Sequence, residues 1–354
     1  MNPCHSNQRK INLNIGKTHS YHFTQQGLTL IELLVAMVIG LLITLAAVAA
    51  LVVSRQGFIA VDAASQLRDN NRYLQDIIQR LGVQAGFKNV IMFPTLSSSK
   101  NIAEATDPLP NVFGINNSSR KKTDTWDAGT SRGSSSLGYG SDILILRSQT
   151  STFNRDSTSS DKTMIDCSGK SPEEKPDSIN DNERLTSIFH VGIGNDGDLS
   201  LMCSRSNDGT APYDPQPLIS GVENFQVLYG VDGIGPGNTT VPIPTTSADS
   251  IPERYLRADQ LTIGGNDTAT YANWRRVRSI RIGMVLHGPL NSAIDRTSQT
   301  YYPLGAAKSS GGGSIGSAFS NSSDPGTVFT PTPDGRIRQA VTFTVHLRNY
   351  QDTD

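Results

Sequence analysis

The chain has 354 residues, 36% of them hydrophobic, with a formal net charge of -1. That is room for one large or two modest domains, and the low apolar share with abundant Gly, Ser, Thr, Asn and Pro favours a β-rich domain with long loops over a tight helical bundle. No basic block follows residue 27, which leaves nucleic acid without support as a direct partner.

Residues 1–27 hold Arg9, Lys10 and Lys17, three His, and no Asp or Glu. Leu33–Val53 follows as 21 residues without a charge. As a helix this run is about 32 Å long, enough for a bilayer's hydrocarbon core. A positive segment ahead of the first apolar helix stays cytoplasmic, so everything after Val53 is expected on the exported side. Removing residues 1–27 leaves 28 Lys+Arg against 32 Asp+Glu, a net charge of -4. Two plain readings of this region are a secretory signal peptide cut after Ala47-Val48-Ala49, and an uncleaved signal anchor. Both leave Glu32 unexplained. A carboxylate in lipid costs at least roughly 2.5–3.5 kcal/mol on insertion scales.

Gly27-Leu28-Thr29-Leu30-Ile31-Glu32-Leu33-Leu34-Val35-Ala36 resembles the class III signal of type IV prepilins and pseudopilins. The resemblance implies cleavage after Gly27 by a membrane aspartyl peptidase, the prepilin peptidase. Leu28 then becomes the N-methylated first residue, and Glu32 the fifth. It also implies a use for the buried carboxylate: Glu32 pairs with the α-amine of a neighbouring subunit during assembly.

Past Val53 the pattern turns amphipathic without a break. Ala60, Leu67, Leu74 and Leu81 recur every seven residues beside Ala63, Ala64, Ile77 and Ile78. Arg55, Asp62, Arg68, Arg72, Asp76 and Arg80 fall largely on the other side. The helix is expected to stop near Gly82–Gly86, giving about 53 residues and roughly 80 Å. The alternative is two helices broken near Ser54–Gly57.

Beyond Gly86 the sequence predicts strands at Asp142–Arg147, Ile188–Ile193, Leu199–Cys203, Val222–Tyr229, Val277–Leu286 and Ala340–Leu347. Phe225, Val227 and Tyr229 alternate with polar residues, as do Val341, Phe343, Val345 and Leu347, the period of half-buried antiparallel strands. Asn195-Asp196-Gly197-Asp198 reads as a hairpin turn. Ser97–Lys100, Asn116–Gly140, Ser148–Lys162, Gly235–Ser250 and Gly305–Gly326 read as mobile surface loops. Cys4 leaves with the leader, so Cys167 and Cys203 remain as an even pair on an oxidising side. Either they are bridged, closing a loop worth roughly 4 kcal/mol of chain entropy, or they are two separate buried thiols.

Several segments of the exported part resemble the PilW-type minor pilins. They are Asp166-Cys167-Ser168-Gly169, Leu201-Met202-Cys203, Val222–Asp232, Glu253-Arg254-Tyr255, Trp274–His287 and Asp334-Gly335-Arg336 with Leu347-Arg348-Asn349. Motifs of the kind that carry chemistry are weaker. Gly192-Ile193-Gly194-Asn195-Asp196-Gly197 fits G-x-G-x-x-G but runs into a strand where a dinucleotide site needs a helix. Gly312-Gly313-Ser314-Ile315-Gly316 fits a nucleophile elbow but lies in a Gly/Ser tract, without the strand-to-helix turn. His190, His287 and His346 sit alone in separate strands, and no zinc spacing exists. Asn195, Asp196 and Asp198 lack EF-hand spacing for calcium. The expectation is therefore no catalytic residues, no metal, no cofactor and no enzyme.

The fold expected is α+β, a long N-terminal helix packed on an antiparallel sheet, the type IV pilin-like architecture that the resemblance implies. Residues 1–27 are the cleaved leader and 28–53 the transmembrane and filament-core helix. Residues 54–86 are its amphipathic continuation and 87–354 an exported head. The function implied is that of a minor pilin priming or joining type IV pilus assembly near the tip. Its partners would be the prepilin peptidase, other minor pilins, the major pilin and inner-membrane lipid. The alternatives are a tip adhesin, a type II secretion pseudopilin, and a membrane-anchored hydrolase that would need Ser314.

Overall fold

The computed structural model describes residues 27–89, 109–154, 159–172, 184–207, 209–234, 251–293, 295–305 and 324–349. Helix α1 (Leu30–Gln84) runs 55 residues without interruption, so the alternative with two helices does not hold. The chain divides into two compact units, Met1–Arg55 and Gln56–Asp354. In the first, every described side chain is exposed, including Leu33, Leu34, Met37, Leu41, Leu45 and Leu51. A helix apolar on all sides needs lipid or other helices around it.

The second unit begins on α1 itself. Ala63, Leu67, Asn71, Leu74, Ile78, Leu81 and Gly82 are buried, the three- and four-residue spacing of one helical face. Gly82 is there for closeness: a Cβ at that position would stand 2.5 Å from Cγ1 of Val345. The helix stops where Gly86 turns to φ 78° and donates its N–H to the Arg147 carbonyl at 2.9 Å. Asn349 then closes the end. Its Nδ2 donates to the carbonyls of Val83 at 2.9 Å and Ala85 at 3.0 Å, groups that a helix terminus leaves unpaired.

The remaining elements are β1 (Val112–Ile115), β2 (Ser118–Ser119), β3 (Thr130–Ser131), β4 (Ile143–Ser148), β5 (Leu185–Ile193), β6 (Leu199–Ser206), β7 (Asp214–Ser220), β8 (Val222–Val231) and β9 (Arg254–Leu256), then α2 (Ala258–Leu261), α3 (Asp267–Arg275), β10 (Val277–His287) and β11 (Arg338–His346). All six predicted strands are present with small shifts at their ends. The single sheet is corrected to two antiparallel sheets, in the orders β1-β4-β5-β6-β7 and β11-β10-β8-β9, with a small β2-β3 ribbon. Register explains the alternation. Phe225, Val227 and Tyr229 lie opposite Met284, Ile282 and Ile280, which in turn face Val341, Phe343 and Val345. Both sheets and α1 share one apolar core, with Leu74, Ile78, Phe189, Leu201 and Phe225 in it. Trp274 of α3 anchors the edge, 4.7 Å from the Phe113 ring and 4.6 Å from that of Tyr229.

A second correction concerns Asn116–Gly140, read as a mobile loop on composition. The structure ties it down with its own polar groups. Asn117 Nδ2 donates to the Arg132 carbonyl and its Oδ1 accepts from Gly140 N–H, at 2.9 and 2.8 Å. Arg120 reaches the carbonyls of Thr125 at 2.9 Å and Ala128 at 3.0 Å, with its guanidinium 4.6 Å from the centre of the Tyr213 ring. Low apolar content here means polar packing. Ser97–Lys100, Gly235–Ser250 and nearly all of Gly305–Gly326 lie outside the described residues.

Candidate assembly and processing site

The first described residue is Gly27. Nothing lies within 4 Å of where its Cβ would stand, and Leu28 beside it is 77% exposed. Thr29 precedes the first helical residue, Leu30. Its N–H and its hydroxyl both donate to Glu32 Oε2, each at 2.9 Å. In return, Thr29 Oγ1 accepts the N–H of Glu32 at 3.4 Å. Thr29 is thus the N-cap and Glu32 the third helical residue of a capping box, which satisfies backbone donors that a helix start leaves free. The sequence reading missed this role of Glu32, although Thr-x-x-Glu before an apolar run is its usual sign.

The box places a carboxylate at the positive end of a 55-residue helix. One oxygen is occupied by Thr29. The other, Oε1, accepts no hydrogen bond among the described residues, and Glu32 is exposed. Below it the apolar run has no covering. α1 is the one described helix long and apolar enough to cross a membrane. A residual carboxylate oxygen above such a helix can receive one further donor, and an ammonium group would also neutralise it.

The head contributes supports. Cys167 and Cys203 are joined in a disulfide with Cα atoms 5.7 Å apart, tying the segment before β5 to β6. Asp166 beside it accepts from the N–H groups of Ser168 and Lys170 at 2.8 and 3.0 Å and pairs with Arg205 at 3.2 Å. Arg338 is held between Glu223 at 2.6 Å and Asp334 at 2.8 Å. Arg336 meets Asp198 at 2.7 Å. The Asp334-Gly335-Arg336 segment is therefore a strut joining the β5–β6 turn to β11.

The remaining sequence candidates are placed separately. Gly192–Gly197 ends β5 and turns into β6, with Gly194 N–H donating to the Asp198 carbonyl at 2.8 Å and Gly197 at φ 79°. It is a hairpin. Asp196 accepts from the Ser220 hydroxyl at 2.6 Å, so the turn's oxygens are engaged by protein donors. His190, His287 and His346 fall on β5, β10 and β11. His190 is buried, its Nε2 is 2.9 Å from Ser204 Oγ, and burial pushes its pKa down to about 4. Among the described residues no group of three His, Cys, Asp or Glu could hold a metal ion. Ser314 lies outside the described residues.

Comparison with known proteins bears on both ends of the chain. Residues 188–349 match the family model described as Type IV Pilus-assembly protein W. Residues 23–48 match the Prokaryotic N-terminal methylation motif, which contains the Gly27–Glu32 segment. No curated protein matches the chain. Among solved structures, a type IV-like pilin from Thermus thermophilus is similar at 13% identity, over 81% of this chain and 97% of that one, with a TM-score of 0.36. The methylation motif heads an exposed apolar helix, and the PilW model takes in all or part of β5–β11. The two matches support a PilW-type minor pilin of type IV pilus assembly.

Proposed function

We propose that the prepilin peptidase cuts this minor pilin between Gly27 and Leu28 and that Leu28 is then methylated on its amine. Residues 1–27, with Arg9, Lys10 and Lys17, stay cytoplasmic as the leader. Residues 28–53 hold the protein in the inner membrane until it joins the filament, residues 54–86 carry the helix onward, and 87–354 form the periplasmic head. Glu32 serves twice. In the free subunit it caps α1 through Thr29; in assembly its open oxygen takes the charged α-amine of a neighbouring pilin. The observation that supports this reading is the capping box itself, which holds one carboxylate oxygen and leaves the other without a hydrogen bond among the described residues, above an exposed apolar helix.

The partners on this account are other minor pilins and the major pilin, with a place near the pilus tip. The role is structural, with no reaction catalysed by the head, and the site asks for no cofactor. A Glu32→Ala chain tests the assembly step. It is expected in the membrane with its leader removed but absent from sheared pili. Its recovery in pili at the wild-type level would refute the role given to Glu32.

A further inference from the structure

Strand β11 is an edge strand of the four-stranded sheet. It runs nine residues, Arg338–His346, about 30 Å of extended chain. Two bonds at its ends fix where its backbone groups point. Ile337 accepts the Gly288 N–H at 2.8 Å, and the Leu347 N–H donates to the Arg278 carbonyl at 2.9 Å. Both residues are therefore bonded towards β10, in the register that sets Val345 opposite Ile280 and Val341 opposite Met284. Along an antiparallel ladder that direction alternates. Gln339, Val341, Phe343 and Val345 thus turn their N–H and carbonyl groups to β10, while Arg338, Ala340, Thr342, Thr344 and His346 turn theirs away from it. Among the described residues no hydrogen bond reaches those outward groups.

The other edge strands are guarded. β1 and β9 are short, four and three residues, and β7 carries Pro215 and Pro217; both devices keep a sheet edge from pairing. β11 has neither. From Gln339 to Val345 it holds no charge and no proline, and its Thr, Val and Phe residues favour extended backbone. Its faces are also incompletely covered. Ala340, Thr342 and Thr344 are exposed, and Val341 and Phe343, on the opposite face, are only half-buried. α1 lies on that second face, with Asn71 Nδ2 donating to Gln339 Oε1 at 3.1 Å and Gly82 packed against Val345.

We infer that β11 is a docking edge for a strand from a neighbouring pilin's head, an inference that rests on the assembly reading above. The occupant is a strand because backbone donors and acceptors at this spacing recognise an extended backbone. It is uncharged, since a charge laid against Gln339–Val345 would lose water and gain no counter-ion. Its apolar side chains extend the row of Val341 and Phe343, and small polar ones lie beside Ala340 and Thr344. It comes from another pilin because α1, the helix that neighbouring subunits cover in assembly, continues unbroken beside this edge. A subunit seated along that helix is brought to β11. Antiparallel pairing of two copies of β11 does not suit. α1 and β11 run the same way, Asn71 to Gly82 beside Gln339 to Val345, so such a pair would point its two α1 helices in opposite directions.

The test uses the full mature chain, tagged, co-expressed with the other pilins of its own pilus and purified in detergent micelles. Thr344→Pro removes one outward N–H and no bond to β10, a change an edge strand accommodates. Thr344→Val keeps the N–H and is the control. Ala340→Lys with Thr344→Lys guards the edge by charge, and decides alone if the proline variant does not fold. Both edge variants should lose about tenfold in recovery of the other pilins, the effect of one unsatisfied backbone group, with leader removal and melting unchanged. Thr344→Val should lose none. In the purified chain alone, the amides of Ala340, Thr342 and Thr344 should exchange fast and those of Val341 and Phe343 slowly. Equal protection of the two sets, the mark of an edge already covered, would overturn the inference. So would a wild type that recovers no other pilin or only a second copy of itself, wild-type recovery in both edge variants, or equal loss from Thr344→Val. Pilins kept by Glu32→Ala and lost from the edge variants would leave the docking edge standing and refute the role of Glu32 alone.

Discussion

Glu32 caps α1 through Thr29, and single substitutions can separate that cap from the assembly role proposed for it. Glu32→Gln keeps an amide oxygen for Thr29, so the cap survives, but it removes the charge an incoming amine would pair with. If the charge is what assembly uses, Gln should fail in pili almost as fully as Ala, while leader removal proceeds in both. Immunoblots of membrane and sheared-pilus fractions read this directly, and assembly by Gln at the wild-type level would assign Glu32 to the cap alone. His190 carries a different prediction. Burial lowers its pKa from 6.5 to about 4, so the fold holds it neutral. Its contribution is full above about pH 6.5 and is lost as pH falls towards about 4, a difference of roughly 3 kcal/mol. Melting of the wild type against His190→Gln at pH 4.5 and 7 should show the variant much less sensitive to acid.

At the scale of elements, the amphipathic half of α1 was legible because apolar residues three and four apart admit one buried face. What the pattern did not show was how closely that face is approached. Gly82 reads as a place to stop, yet it lies inside the helix because a Cβ there meets Val345 at 2.5 Å. Gly82→Val should cost about 1–3 kcal/mol through overpacking, despite the poor helix propensity of glycine. Val345→Ala in the same chain should recover part of the loss, as chemical denaturation would show. Strand β7 was missed for a plain reason: Pro215 and Pro217 argue against a strand, and only an edge position accommodates them. Strand β1 was short, and α3 has few apolar residues to announce it. The disulfide is a further element-level constraint. Cys167→Ser with Cys203→Ser removes a link between residues 36 apart in sequence, and should lower stability by about 2–5 kcal/mol, visible as a lower melting temperature under non-reducing conditions.

For the whole molecule, the long helix and six strands followed from periodicity and the α+β architecture from the resemblance, whereas the division into two sheets followed from neither. Which strands share a sheet depends on long-range register and on joints such as Asp142 Oδ2 accepting the Val227 N–H at 2.9 Å, whereas Asp142 read only as the start of a strand. The Asn116–Gly140 segment failed for a related reason, since polar composition is compatible both with solvent exposure and with a mesh of side-chain to backbone hydrogen bonds. The N-terminal methylation motif was legible because its pattern is local: glycine, apolar residues and a glutamate within six positions. Both ends of the chain therefore point to a pilin, while the detail of the head comes from the structure. The most direct test of the central claim is the N-terminal sequence and mass of the mature protein recovered from membranes and pili. The account predicts a chain starting at Leu28 with a methyl group on its amine. A chain starting after Ala49, or one that still begins at Met1, would contradict it.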